Sequence, residues 1–423
     1  MRRTMFCMIF SLFVGGMMAQ PGDNRTMVDV QLRPRAEYRN GALFPRDQGE
    51  LPARFITNRA RLSLGYERSQ LELRFSAQHV GVWGQDPQID RNGRFILNEA
   101  WAKLRFGHGL FAKLGRQALS YDDERILGGL DWNVAGRYHD ALKLGYESRH
   151  DLLHLILAFN QNDERLIGGT YYKPGAQPYK SMQTLWYSHI AENFRISGIA
   201  MNLGLEGGTE DRAETRYQQT FGVNLGFHPD RVWNLSGAFY YQTGHTAADV
   251  PISAWMAALR ANIRATERLS FLLGSDILSG DDRETADYEA FNPLYGTHHK
   301  FYGAMDYFYA SPFANRVNPG LWDNYAGLDV AVTPRLNLGA TAHYFSMTSD
   351  LNSAAGPLSK GLGTEVDLQL GWNIMKDVNL MAGYSFMLGT DAMDHVKGGD
   401  HTRWQDWAWL SVNIRTRVFQ SAW

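Results

Sequence analysis

The chain predicts an all-β fold: a transmembrane, antiparallel, up-and-down β-barrel of about 18 strands. Three observations carry this. Stretches of roughly ten residues alternate apolar and polar side chains from Val28 to the C-terminus. Short and long polar breaks between them follow one another in turn. Finally, no run of about 18 or more apolar residues occurs, which excludes helical membrane spans.

From the N-terminus, Arg2 and Arg3 precede an apolar segment, Met5 to Val14, and a small-residue exit at Gly15-Gly16-Met17-Met18-Ala19. This pattern predicts a secretory signal peptide over residues 1–19, too short to span a bilayer, with one barrel domain over 20–423. Cys7 is the one cysteine and lies in that segment, so disulfides and thiol chemistry are excluded from the mature chain. Removing Arg2 and Arg3 from 42 basic residues leaves a charge near −4 against 44 acids, which argues against nucleic-acid binding. The 42 glycines and 13% aromatic content suit tight turns and interfacial girdles.

The strands are placed by their breaks. Short ones fall at 68–70, 107–109, 148–151, 191–193, 228–231, 266–268, 333–335 and 375–377, with ordinary turn residues. Long ones fall at 40–53, 84–94, 119–137, 161–180, 205–216, 244–252, 279–324, 347–362 and 390–405. With both termini periplasmic, eight short turns and nine long loops require about 18 strands, an even number. A soluble sandwich or propeller does not predict that rhythm. The pair flanking 375–377 shows the two faces best. Val366, Leu368, Leu370, Trp372 and Ile374 form one parity, and Glu365, Asp367, Gln369, Gly371 and Asn373 the other. The segment 279–324 is too long for a plain connection and dense in aromatics. It either adds an extracellular hairpin or folds inward and narrows the pore. In the last strand Leu410, Val412, Ile414 and Val418 share a parity that Phe419 and Trp423 leave, so a bulge or short tail is expected there.

If the apolar parity faces lipid, the other lines a lumen. Its basic residues are Arg33, Arg35, Arg39, Arg59, Arg61, Arg74, Lys103, Arg105, Lys113, Lys143, Arg195, Arg216, Arg260, Arg264, Arg415 and Arg417. Its acids are fewer: Asp29, Glu37, Glu67, Glu72, Glu99, Glu147, Asp276, Asp329, Glu365 and Asp367, while further acids collect in loops such as Asp122-Asp123-Glu124. A basic interior inside a near-neutral chain selects anions, and the planar Arg fork suits carboxylates. The competing arrangement is a set of acid–base ladders that brace the wall with no net field.

Around the fifth strand the chain reads Lys113-Leu114-Gly115-Arg116-Gln117, then Asp123-Glu124-Arg125-Ile126-Leu127-Gly128, then Trp132, Arg137 and Asp140. This resembles the alginate-export family of outer-membrane porins, with a Gly-Arg-Gln strand end, an Arg-Leu-Gly-like loop, a Trp, and an Arg before an Asp-Gly-like strand start. Phe291-Asn292-Pro293-Leu294-Tyr295 with His299-Lys300-Phe301-Tyr302-Gly303 is similar to that family's later signature. The match departs at Ile126 and Ala141. The resemblance implies an 18-stranded barrel and an anion-selective conduit whose arginines contact the carboxylates of a uronate polymer. Arg116, Arg125 and Arg137 are the matching positions. Simple parity puts Arg116 with Ala112 and Leu114 on the lipid side, where a charge costs about 2–4 kcal/mol at the midplane. A bulge near Gly115, or a position above the hydrocarbon, is therefore expected.

The functional expectation is an outer-membrane channel for anionic small molecules or an acidic, alginate-like polysaccharide, without cofactor, metal or covalent chemistry. Its partners would be outer-membrane lipid, lipopolysaccharide and the barrel-assembly machinery. Two other classes are weighed. A glycan-binding or adhesin barrel with a plugged lumen would use aromatics such as Trp322, Tyr325 and Trp404. A barrel hydrolase would need a Ser–His or acid–His constellation. Only His298-His299 and His139-Asp140 suggest one locally, and no Gly-x-Ser-x-Gly occurs.

Overall fold

A computed structural model describes residues 23–423 apart from 86–94, 165, 168, 176, 315, 316, 354 and 355. The expected signal peptide, and most of the 84–94 loop, lie outside the described residues. The barrel strands are β1 (Arg25–Asn40), β2 (Ala53–Arg68), β3 (Leu71–Val82), β4 (Phe95–Gly107), β5 (Leu110–Gln117), β6 (His139–Glu147), β7 (Asp151–Phe159), β8 (Ser181–Ile190) and β9 (Phe194–Thr209). They continue as β10 (Arg212–Phe227), β11 (Trp233–His245), β12 (Pro251–Arg264), β13 (Leu269–Leu278), β14 (Leu321–Thr333), β15 (Leu336–Ser346), β16 (Gly361–Met375), β17 (Val378–Gly389) and β18 (Gln405–Ala422). Each pairs antiparallel with the next, and β1 pairs with β18 from Arg25↔Ala422 to Asn40↔Asp406, so the sheet closes on itself without an edge. One short helix, α1 (Asp391–Lys397), sits in the last long loop, where the Thr390 hydroxyl caps the Met393 N–H.

All eight expected short turns are present, and the 18-strand count holds. One loop is corrected. Residues 205–216 are continuous ladder, with β9 and β10 paired as far as Thr209↔Arg212 around a two-residue turn. These 16-residue strands run on into polar sequence that alternation reads as loop.

The outward parity is exposed and apolar, as at Leu32, Leu62, Leu64, Leu73, Phe75, Leu114, Leu144 and Leu155. Exposed Phe227, Trp233, Trp372 and Trp423 ring the short-turn end, and Trp255, Trp322, Tyr344 and Trp404 the long-loop end, as membrane-interface girdles do. Trp322 and Trp404 thus belong to the outer wall. Only Tyr325, buried, turns to the lumen.

The expected irregularity in β18 is real. Val28 pairs with Phe419 but Asp29 pairs with Arg417, leaving Val418 as an extra residue. The bulge returns Phe419 and Trp423 to the lipid phase, and Trp423 meets the outward ring of Tyr66 at 6.4 Å. Around Gly115 the expectation divides differently. Pairing runs through Trp101↔Gly115 and Ala100↔Arg116 in unbroken register, so there is no bulge. Gly115 takes φ +114°, and a Cβ there would strike the Ala100 carbonyl.

The segment 279–320 folds inward. Phe291, Tyr295, Phe301, Tyr302, Met305, Tyr307 and Phe308 are buried in one cluster with Leu127 and Trp407. It meets the inward loop 118–138 through a parallel bridge, Leu127 to Tyr295, with Gly128 N–H to Tyr295 O at 2.9 Å and Tyr295 N–H to Ile126 O at 3.0 Å. The core of this protein is therefore a pair of interlocked loops inside the barrel.

Candidate functional site

The loop 118–138 is held by arginines of the β1–β2 wall. Arg59, fully buried, donates to Asp131 Oδ1 and Asn133 O at 2.6 Å each, and to Val134 O at 2.6 Å. Arg33 reaches Asp131 Oδ2 at 3.3 Å and Asn133 O at 3.2 Å, and Arg35 reaches Trp132 O at 3.0 Å. A turn of backbone carbonyls needs such donors when it leaves solvent. The Asp131 side chain is 71% accessible to lumen water, while the barrel wall surrounds it at longer range. That surrounding pulls its carboxyl up, but Arg59, Arg33 and Arg61 pull harder and hold it below the usual aspartate value. Trp132 is covered on both faces, by Arg35 at 4.1 Å and by the His299 ring at 4.1 Å. Neither Asp131 nor this sandwich was legible from the wall's alternation, because loop residues carry no parity.

The second anchor is Arg125, 3% exposed, which bonds Asp276 of β13 at 2.8 Å, Asp123 at 2.8 Å and the Tyr302 hydroxyl at 3.2 Å. Arg137 donates to Gly296 O at 2.7 Å. His299 Nδ1 bonds Asp306 at 2.9 Å and His139 Nδ1 bonds the Tyr179 hydroxyl at 2.7 Å. His298 is half-buried with protein crowded around it, and that loss of water, helped by Arg137, pushes its imidazole down to about 4.

The expected solute-binding cations thus divide by surroundings. Arg33, Arg35, Arg59, Arg125 and Arg137 fasten the inward loops through the carbonyls and carboxylates named above, a role different from the solute contact expected of them. Arg74 (Asp29, 3.3 Å), Lys103 (Glu147, 3.2 Å), Arg105 (Glu72, 2.7 Å) and Arg417 (Asp29, 2.9 Å) form wall ion pairs. Arg116 is a correction to the lumen set. It faces outward at the loop end of β5, in a two-bond pair with Asp140 at 2.9 Å and over the Tyr138 ring. Pairing and the strand-end position remove the cost of a lone charge on that face. Arg61, Lys113, Lys143, Arg260, Arg264 and Arg415 have no carboxylate within 4.0 Å among the described residues. Arg61 bonds Gln78, Arg260 bonds the Tyr325 hydroxyl, and Lys113 lies 3.6 Å over Trp101. Lys113 stands in register between Lys103 and Lys143, a row of like charges held against its own repulsion.

Open space lies beside two of these cations, Arg260 and Arg415. A cavity of about 380 Å³ runs below the loops beside Arg195, Asn224, Asn234, Ser236 and Arg260. One of about 210 Å³ shares Arg260 and continues past Asp329, Thr341 and Gln369. At the short-turn mouth a recess of about 380 Å³ is lined by Arg335, Lys376 and Arg415. Arg335 and Lys376 are turn residues outside the strand tally. At the opposite mouth Asp391, Asp394 and His401 bring ligand atoms within 4.8 Å of one another, with His401 bonded to Asp394 at 2.6 Å.

A closed 18-stranded barrel with an apolar belt, a charged lumen and loops folded inside defines an outer-membrane channel. The chain belongs to the alginate export family, whose model matches residues 26–404. Its fold is shared with the outer membrane protein OpdK from Pseudomonas aeruginosa (12% identity, TM-score 0.64, covering 93% of this chain and 99% of that one). A BenF-like porin from Pseudomonas fluorescens Pf-5 (13%, 0.62, 93% and 99%) and OccAB1 from Acinetobacter baumannii (13%, 0.64, 95% and 99%) share it as well. No curated protein matches the sequence.

Proposed function

We propose that this channel conducts anionic solutes, an acidic polysaccharide of the uronate class among them, without covalent chemistry. The observation that carries the reading is the unpaired set Arg61, Lys113, Lys143, Arg260, Arg264 and Arg415. Of the lumen acids, Asp29, Glu72, Glu147, Asp276 and Asp323 are each taken up by a cation or histidine, and Asp329 and Glu365 have no such partner among the described residues, which leaves the free cations in excess. Charges free of partners supply what an anion loses when it sheds water in a narrow passage. The outer girdles would meet lipid and lipopolysaccharide, and the in-phase aromatics Phe419 and Trp423 of β18 would serve recognition by the barrel-assembly machinery.

The test is reversal potential in planar bilayers under a salt gradient. The wild type should prefer anions, and Arg260→Gln with Arg264→Gln should reduce that preference. A cation preference indifferent to both substitutions sinks the proposal. The packed inward loops favour one other reading, a glycan-binding barrel with a closed lumen, and absence of any single-channel conductance would support it.

A further inference from the structure

Three strands round the barrel from the arginine wall, the loop 279–320 rests on carboxylates. Glu365 and Asp367, alternate residues of β16, both point inward; Glu365 is fully buried and Asp367 nearly so. One oxygen of each is held by the loop backbone: Met305 N–H donates to Glu365 Oε1 at 2.7 Å and Ala304 N–H to Asp367 Oδ2 at 3.3 Å. The two carboxyl groups come within hydrogen-bonding reach of each other. Gly303, at φ +85°, lets the chain pass so close that a Cβ there would lie 2.6 Å from Glu365 Oε2.

The remaining oxygens are unanswered. Apart from what the two carboxyls offer each other, Glu365 Oε2, Asp367 Oδ1, Asp306 Oδ1 and the Tyr307 hydroxyl are buried without a hydrogen-bond partner, and all belong to this one seam. Of the nearby cations, His343 bonds Asp323 through Nδ1 at 2.9 Å and stands 3.6 Å from Asp367 Oδ2 through Nε2. Arg125 is taken by Asp276 and His299 by the other oxygen of Asp306, so among the described residues none reaches Glu365. Water can satisfy lone pairs, but it does not neutralise two facing carboxylates. Carboxylate and phenol oxygens are hard ligands, and a seam between an irregular loop and a strand suits an irregular coordination shell.

We propose that a divalent cation of calcium chemistry binds between Glu365 and Asp367, fastening the loop 279–320 to the barrel wall. The binding requires only that this loop lie inward and is independent of which solutes the channel carries. Terbium luminescence on the purified full-length barrel tests it, with Tyr307 as the nearby sensitiser. A saturable signal displaced by calcium is expected, weakened about tenfold or more by Glu365→Gln or Asp367→Asn. It should be untouched by Asp391→Asn with Asp394→Asn. Heat-modifiable migration on gels establishes that each variant is folded. In the wild type, chelation should expose 279–320 to protease and calcium should restore protection. No saturable signal, as a shared proton in place of the cation would give, overturns the proposal. So does a signal lost only in the Asp391/Asp394 variant, or protease sensitivity indifferent to chelation.

Discussion

Asp131 shows how one loop residue changes the meaning of several wall residues. Parity correctly turned Arg33, Arg35, Arg59 and Arg61 inward, but direction says nothing of what a side chain touches once inside. Asp131 and the carbonyls after it take up Arg33, Arg35 and Arg59, and Arg61 alone of the four lacks a bond to them. The Asp131 carboxyl is held below the usual aspartate value, so its contribution is present above about pH 4 and is lost as pH falls through the depressed value. Loop 118–138 should therefore loosen only in strong acid. Single-channel recordings should show larger, noisier currents there, and Asp131→Asn should show them already at neutral pH. Quiet, wild-type currents from that variant at neutral pH would show that the arginine–carbonyl bonds suffice.

At the scale of elements, alternation and turn chemistry located all eight short turns, because a strand that must face lipid and water at once leaves a two-residue period. The signal fails where that constraint ends. β9 and β10 outrun the membrane, both faces become polar, and the ladder through Glu206 and Thr215 reads as loop. The inward course of 279–320 was equally hidden, since aromatic density serves a hairpin and a plug alike. The β18 bulge was legible because Phe419 and Trp423 stand out of phase with Leu410, Val412, Ile414 and Val418. It also makes a prediction in which length is controlled. Deleting Val418 abolishes the bulge yet keeps Phe419 opposite Val28 and Trp423 outward. Deleting Ala422 turns Trp423 toward the lumen. Assembly, read as heat-modifiable migration, should survive the first deletion and fall in the second; equal yields would show that terminal phase is immaterial.

Across the whole molecule, two designs coexist in one lumen, and both were weighed from the sequence: neutral ladders that brace the wall and free cations that set a field. Their placement now separates them. Arg105 with Glu72 is a ladder rung at 2.7 Å, whereas Lys113 and Lys143 face each other with no acid between them. Neutralising a rung as a pair, Arg105→Gln with Glu72→Gln, leaves the net lumen charge unchanged, so reversal potentials should match wild type. Lys113→Gln with Lys143→Gln removes two positive charges and should move selectivity toward cations. The contrast should be clear at 0.1 M salt, where screening extends over about 10 Å, and should fade at 1 M, where it falls to about 3 Å. If the rung variant shifts selectivity as much as the lysine variant, permeating ions read the wall's shape or its individual charges, and the surplus of unpaired cations is not what selects them.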